Sequence, residues 1–472
     1  VVSVAVVVVG LLAFAVWFNL FRTRASAAQP SLQDEFLYGS MGSEADEGTP
    51  YWIWVILPKI FPEYLPGPGG YASIGITWNE GRELPAGVTT RLIGFDRVGV
   101  NCAFCHVSAV RFTADQGKPT FYPGGPGHQV RVQEYQDFLF KSAADPRFNP
   151  DRIMNEINAV TQLSTREALL YRYLLIPMTK RALLQQHEQF AWEKLRPAQG
   201  PGRIDPFNPV RFRIFKQLDD RSIGNSDMPS IWNQKARVGQ FLHADGLTRV
   251  FHETLVTSAI GDGAREDHID LAYLSKIERY LRELPSPAYP LPIDPTLAKR
   301  GAPLFKQECG ECHAPGGAKT GTVIPVAEVG TDAHRTQSWT QSQVDDWKKL
   351  ATEYRQKYGA KWNLDSFNKQ SGYVTGLLDG VWLKGPYLHN GSVPNLSALL
   401  DVPAARPRVF YRGNDLFDAV GVGYVSNTPS QGSRHFFQYD VSVAGNSNSG
   451  HVYGTQLSLA DKQALVEYMK TL

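Results

Sequence analysis

The chain has 472 residues, 43% hydrophobic and 20% charged. That excludes a disordered or fibrous protein and exceeds one ordinary core, so two globular domains plus extensions are expected. A net charge of +2 supplies no basic field for nucleic acid, and no nucleic-acid partner is expected.

The opening run "VVSVAVVVVGLLAFAVWFNLF" (1–21) carries no charge, and only Ser3 and Asn19 are clearly polar. As a helix rising ~1.5 Å per residue it would extend roughly 30 Å, the thickness of a bilayer's hydrocarbon core, so a transmembrane anchor is expected over 1–21. A cleaved signal peptide competes, because "ASAAQ" (25–29) offers small residues. Against it, the apolar run exceeds the ~7–15 residues of a signal core. Arg22 and Arg24 alone would favour a cytoplasmic downstream side. Residues 22–90 read as an extension. Within it "YWIWVILPKIFPEYLPGPGGY" (51–71) has Pro58, Pro62, Pro66 and Pro68, which should stop it continuing as a helix. The segment reads as a hydrophobic arm on the next domain, in preference to a foot at the membrane interface where Trp and Tyr concentrate.

Next comes "GVNCAFCHVSA" (99–109), whose pattern returns about two hundred residues later in "QECGECHAP" (307–315). The four cysteines, Cys102, Cys105, Cys309 and Cys312, form two Cys-x-x-Cys pairs, each followed by histidine, and none remains for a disulfide. Two thiols at that spacing can add to the two vinyl groups of haem, and the next residue can ligate the iron. A thioredoxin-like pair would need a strand-to-helix setting, and a zinc site would need both pairs side by side. Two covalently bound haem c groups are therefore expected, with His106 and His313 as proximal ligands. Haem c is matured outside the cytoplasmic membrane, so the body is expected on the periplasmic side of an inner membrane that holds the anchor.

The first haem domain is expected over 91–285. Helical periodicity is clear at 134–143, 165–195 and 267–284. A Pro-rich linker, 286–295, closes it. The second haem domain, 296–472, opens on a capped helix, "DPTLAKRGAPLFKQECGECH" (294–313), and closes on "LSLADKQALVEYMKTL" (457–472), which Ser458 should cap. The expected fold is mainly α, with two cytochrome c-type haem domains preceded by one transmembrane helix.

The sixth position of each iron decides its chemistry: a strong ligand favours electron transfer, an open site binds peroxide or dioxygen. After His313 the only methionine is Met469, on the apolar face of the closing helix. The histidines there are His334, His389, His435 and His451. His451 follows a glycine in the loop before the closing helix, and His389 sits in a tight Gly, Pro and Asn-Gly turn. His334 and His435 read as surface residues.

Taken with the two haem motifs, "DMPSIWN" (227–233), "FLHADG" (241–246), "PYLHNGSVPNLSALL" (386–400) and "GHVYGTQLS" (450–458) resemble the bacterial di-haem cytochrome c peroxidase superfamily. The chain is most similar to its rubber-oxygenase-like branch, over roughly 90–472. The resemblance implies a reactive haem on Cys102 and Cys105 and a relay haem on Cys309 and Cys312. It places His451 where peroxidases carry methionine, which should lower the relay potential. His389 becomes a motif residue near the haem. His128, in "YPGGPGHQVRV", matches a displaceable sixth ligand of the first haem, or else packs its loop. His243, Asp245 and Trp232 match positions lining the first haem pocket, where a histidine or carboxylate can shuttle a proton. Arg97, Arg237 and Lys384 are candidate propionate partners, and Trp382 is either an inter-haem relay or core. The resemblance also admits a calcium ion between the domains.

Three functions are consistent with this pattern. One is a membrane-anchored peroxidase- or oxygenase-like oxidoreductase acting on peroxide or dioxygen. Another is an electron-transfer subunit of a larger membrane complex, both irons six-coordinate, exchanging electrons with a donor or acceptor protein. The third, kept open by Tyr453 beside His451, is an enzyme that oxidises side chains of a partner protein.

Overall fold

The helix Pro295–Glu308 crosses the C-terminal helix Leu459–Met469 at Gly301, where a β-carbon would stand 2.0 Å from the Ala464 carbonyl oxygen. Only glycine allows that approach. Asp294 caps the first helix by accepting from the Thr296 and Leu297 amides, and Ser458 caps the second by accepting from the Asp461 amide. The short helix Gly310–His313 follows directly, so the crossed pair fixes the second Cys-x-x-Cys-His motif.

The computed structural model describes residues 29–45, 48–265 and 268–472, together with Gly10, Phe14 and Thr23. Helix makes up 42% and strand 12%, so the mainly α expectation gives way to helices tied by short antiparallel pairs. Strands Val88–Ile93 and Phe95–Val100 form a hairpin extended by Thr49–Pro50, and Val107–Val110 pairs with Thr120–Pro123. The anchor and single-pass inner-membrane expectation is also corrected. Among the described residues no helix is long and apolar enough to cross a membrane. The 18-residue helix Gln341–Tyr358 is dense in Asp, Lys, Glu and Arg. Of the run 1–21, all but Gly10 and Phe14 lies outside the described residues.

The aromatic arm differs locally from expectation, because Tyr51–Ile60 is helical through Pro58. Proline removes the donor that would have met the Trp54 carbonyl. That carbonyl accepts from the Tyr71 hydroxyl at 2.8 Å instead. Ile53, Trp54, Ile56, Leu57 and Ile60 are buried in a core shared with Phe104 and Phe138, which places the arm on the first haem motif's neighbours. Helices Val132–Ala144, Thr165–Leu170, Ile176–Gln189 and Leu271–Glu283 fall where periodicity places them; a π-helical turn, Tyr171–Leu175, joins the second to the third.

One apolar core joins both sides of the Pro-rich linker. Cys102, Ala103, Val107, Phe251, Leu255 and Leu281 pack with Trp339, Trp347, Trp362 and Phe367, which follow the second haem motif in sequence.

Candidate functional site

The first motif is a 3₁₀ turn, Cys102–Phe104, capped by Asn101, whose side chain accepts from the Ala103 amide and donates to the Gly39 carbonyl. His106 Nδ1 lies 2.9 Å from the Pro229 carbonyl oxygen. A carbonyl only accepts, so Nδ1 carries the proton and Nε2 keeps its lone pair for a metal. His313 repeats the arrangement, with Nδ1 2.6 Å from the Gly376 carbonyl oxygen. Burial lowers the pKa of both rings, that of His106 to about 4, with the carbonyl bonds pulling back up. Both are neutral imidazoles, the form that ligates.

His451 meets His313. Their ring centroids are 6.3 Å apart with planes inclined by 44°. Two imidazoles on opposite sides of one metal ion, each nitrogen about 2 Å from it, place their centroids roughly 6 Å apart. The pair therefore has a spacing at which both rings could hold one metal ion between them, and His451 Nδ1 is buried without a hydrogen-bond partner. His451 is held at a backbone φ of 45°. Its amide donates to the Val329 carbonyl, and Arg406, 2% exposed, donates to the carbonyls of Gly450 and His451 at 2.9 and 3.0 Å. Gly450 is required here, since a β-carbon would stand 2.3 Å from the Gly330 carbonyl carbon. Tyr453 meets the His451 ring edge-on at 5.2 Å.

At the first motif the counterpart is arranged differently. Gly127 donates its amide to the Cys105 carbonyl, yet the ring of the next residue, His128, lies face to face with Tyr424 at 3.5 Å. It is 3% exposed and neither ring nitrogen has a well-formed hydrogen bond. Burial pushes its pKa down to about 3, against weaker upward pulls from Asp415 and the nearby Pro126 and Asn414 carbonyls.

His243 has a backbone φ of 61°, sits 5.7 Å from Phe367 and leaves Nε2 buried without a partner. Burial lowers its pKa to about 4, which keeps the ring neutral. Phe367 belongs to the core that also contains Cys102. Asp245 is fully buried; one carboxylate oxygen accepts from Arg335 at 3.0 Å and the other has no partner. His389 stacks on Tyr373 at 3.8 Å with Nε2 unpartnered, and burial lowers its pKa to about 3. His334 bonds to Asp332, and His435 is exposed. Trp382 donates to the Pro287 carbonyl inside a ring of Phe112, Tyr122, Tyr289 and Phe417, a packing position.

Trp232 lies between the two motifs. It is 1% exposed and its indole N–H donates to the Asp379 carbonyl at 3.1 Å. It stands three positions after Pro229, the acceptor of His106, and Asp379 stands three after Gly376, the acceptor of His313. Short backbone stretches and three hydrogen bonds thus connect the two proximal rings. Arg237 pairs with Asp379, while Arg97 donates to the Ile93 and Ala45 carbonyls.

Sequence reasoning did not find Arg406, Arg335, Tyr373 or Tyr424, nor the carbonyls of Pro229 and Gly376, none of which has a motif of its own. Among the described residues no three His, Cys, Asp or Glu side chains gather where they could hold a metal ion.

A family model described as RoxA-like, cytochrome c-like matches residues 372–411. That segment holds Gly376, Asp379, Lys384 and His389, and the match relates the chain to cytochromes c, haem oxidoreductases with covalently bound haem c. The uncharacterized protein y4iM of Sinorhizobium fredii is 32% identical over 253 residues, covering 48% of this chain and 56% of that protein. The uncharacterized protein y4iJ of the same organism is 29% identical over 238 residues, covering 38% and 39%. The chain therefore spans about half the length of the curated relatives it matches.

Proposed function

We propose that the chain is a di-haem c oxidoreductase of the peroxidase or oxygenase kind, reactive at the haem on Cys102 and Cys105 and conducting at the haem on Cys309 and Cys312. Haem c so held supplies one-electron transfer and, where an axial position is open, binding of peroxide or dioxygen. The observation that carries this reading is an asymmetry: His451 stands at ligand spacing from His313, whereas His128 is stacked on Tyr424. His106 and His313 donate Nδ1–H to backbone carbonyls, which leaves their Nε2 lone pairs free, so these two rings would hold the haem irons. His243, neutral and unpartnered at Nε2, would be the group that passes a proton to the reactive haem in this reading, and Asp245 is paired with Arg335. Trp232 and the 376–379 turn connect the proximal sides.

An EPR spectrum of the oxidised holoprotein tests this. A high-spin ferric signal that shifts with cyanide or peroxide is expected beside one low-spin signal. Two low-spin signals insensitive to both would sink the enzyme reading and leave an electron-transfer cytochrome. The unpartnered nitrogens of His128, one residue after the Gly127 contact to Cys105, favour that second reading.

A further inference from the structure

Lys384 occupies the wall between the two motifs and belongs to neither. Its side chain is 20% exposed, and Nζ donates to the Leu377 carbonyl at 2.9 Å. The ammonium lies 3.5 Å from Asp379 Oδ1 and 5.9 Å from the centre of the Trp232 ring. The Asp379 carboxylate also takes Arg237 and the Asn233 amide nitrogen. Two cations against one carboxylate leave one net positive charge in this mostly buried cluster. Its interactions are little screened by salt. The charge stands close to the second site, since the Leu377 carbonyl that Nζ holds follows directly on Gly376, whose carbonyl takes His313 Nδ1–H. It also acts through the backbone: the turn it braces, 376–379, presents the Gly376 carbonyl to His313 and the Asp379 carbonyl to Trp232.

We propose that Lys384 is a positioning residue for electron transfer between the two haems: it braces the turn carrying both acceptors, and its positive charge raises the reduction potential of the haem on His313. A nearby cation stabilises the state that holds one more electron. The inference rests on the reading that His313 and His451 ligate a haem.

The test is a spectroelectrochemical titration of the holoprotein, with a one-electron dye as mediator, on the wild type and Lys384→Met, Lys384→Arg and Asp379→Asn. Lys384→Met should move the midpoint of the low-spin haem to more negative potential by a tenfold change in its reduction equilibrium, about 59 mV for one electron. Lys384→Arg should restore most of the shift, and Asp379→Asn should move the midpoint the other way. A Lys384→Met midpoint within twofold of wild type, at normal haem content, overturns the proposal. If Lys384→Met fails to load haem, an unchanged or more negative Asp379→Asn midpoint overturns it. His451→Gly in parallel separates the two readings. If it turns that haem high-spin while Lys384→Met leaves the potential in place, only the role of Lys384 fails; if it leaves both haem spectra unchanged, the ligand reading fails and the proposal with it.

Discussion

The imidazole of His128 lies 3.5 Å from the phenol ring of Tyr424, the two planes within 21° of each other. The stack keeps the ring nitrogens buried and without hydrogen-bond partners, a costly state for polar atoms that a metal would relieve. Tyr424→Ala should release His128 and reduce the high-spin EPR signal of the first haem by half or more. Tyr424→Phe retains the stacking face and should leave the signal near wild type. Equal spectra for wild type and both variants would show that His128 does not compete for that iron.

His451→Gly removes the ring at ligand spacing from His313 and should convert one low-spin haem to high spin, with added imidazole restoring it. Arg406→Met acts on the same loop without touching the metal. It leaves buried carbonyls of residues 399, 401, 448, 450 and 451 without their donor and should cost about 3 kcal/mol or more in chemical denaturation.

Gly301→Ala places a methyl group 2.0 Å from the Ala464 carbonyl oxygen, where two helices cross. Overpacking of this kind costs roughly 1–3 kcal/mol, and thermal unfolding should shift down by several degrees. Gly261→Ala, on a helix face where a β-carbon meets nothing within 4 Å, is the control and should leave Tm near wild type.

Glu193 is 8% exposed, and burial pushes its pKa up to about 8, with Asp137 and Asp205 adding to the rise and Gln133 and Gln199 opposing it. In the unfolded chain a glutamate ionises near pH 4.3. Between these values the folded protein binds one more proton than the unfolded one, so stability falls as pH rises from about 4.3 to 8 and is level above that. Glu193→Gln should flatten that decline and gain on the order of 1–3 kcal/mol at pH 8, read from urea midpoints across the range. An unchanged slope would show that Glu193 is ionised in the folded state.

How much of this was legible in the sequence depended on whether the signal was local. Cys102, Cys105, His106 and their counterparts declare themselves by spacing, and Asp294 and Ser458 announce their helices as caps. Pro58 was misleading because the compensating donor, Tyr71, lies in another element. Trp232 could be singled out from its motif, but its partner Asp379 is almost one hundred and fifty residues away in the chain. His128 could be named as a ligand or a packing residue, and only the placement of Tyr424 shows which contact it makes. The apolar run 1–21 was read from length and hydropathy alone. Neither can show how the body of the protein packs, and the described residues contain no helix of membrane-spanning character.

The core shared by Cys102 and the tryptophans at 339, 347 and 362 makes the two halves of the chain depend on one another. Cys102 is 5% exposed and belongs to the same apolar core as side chains that follow the second haem motif in the chain. A core built from both halves of the chain should open as one unit, so loosening Trp339 or Trp347 is expected to lower the stability of the first motif together with that of the second.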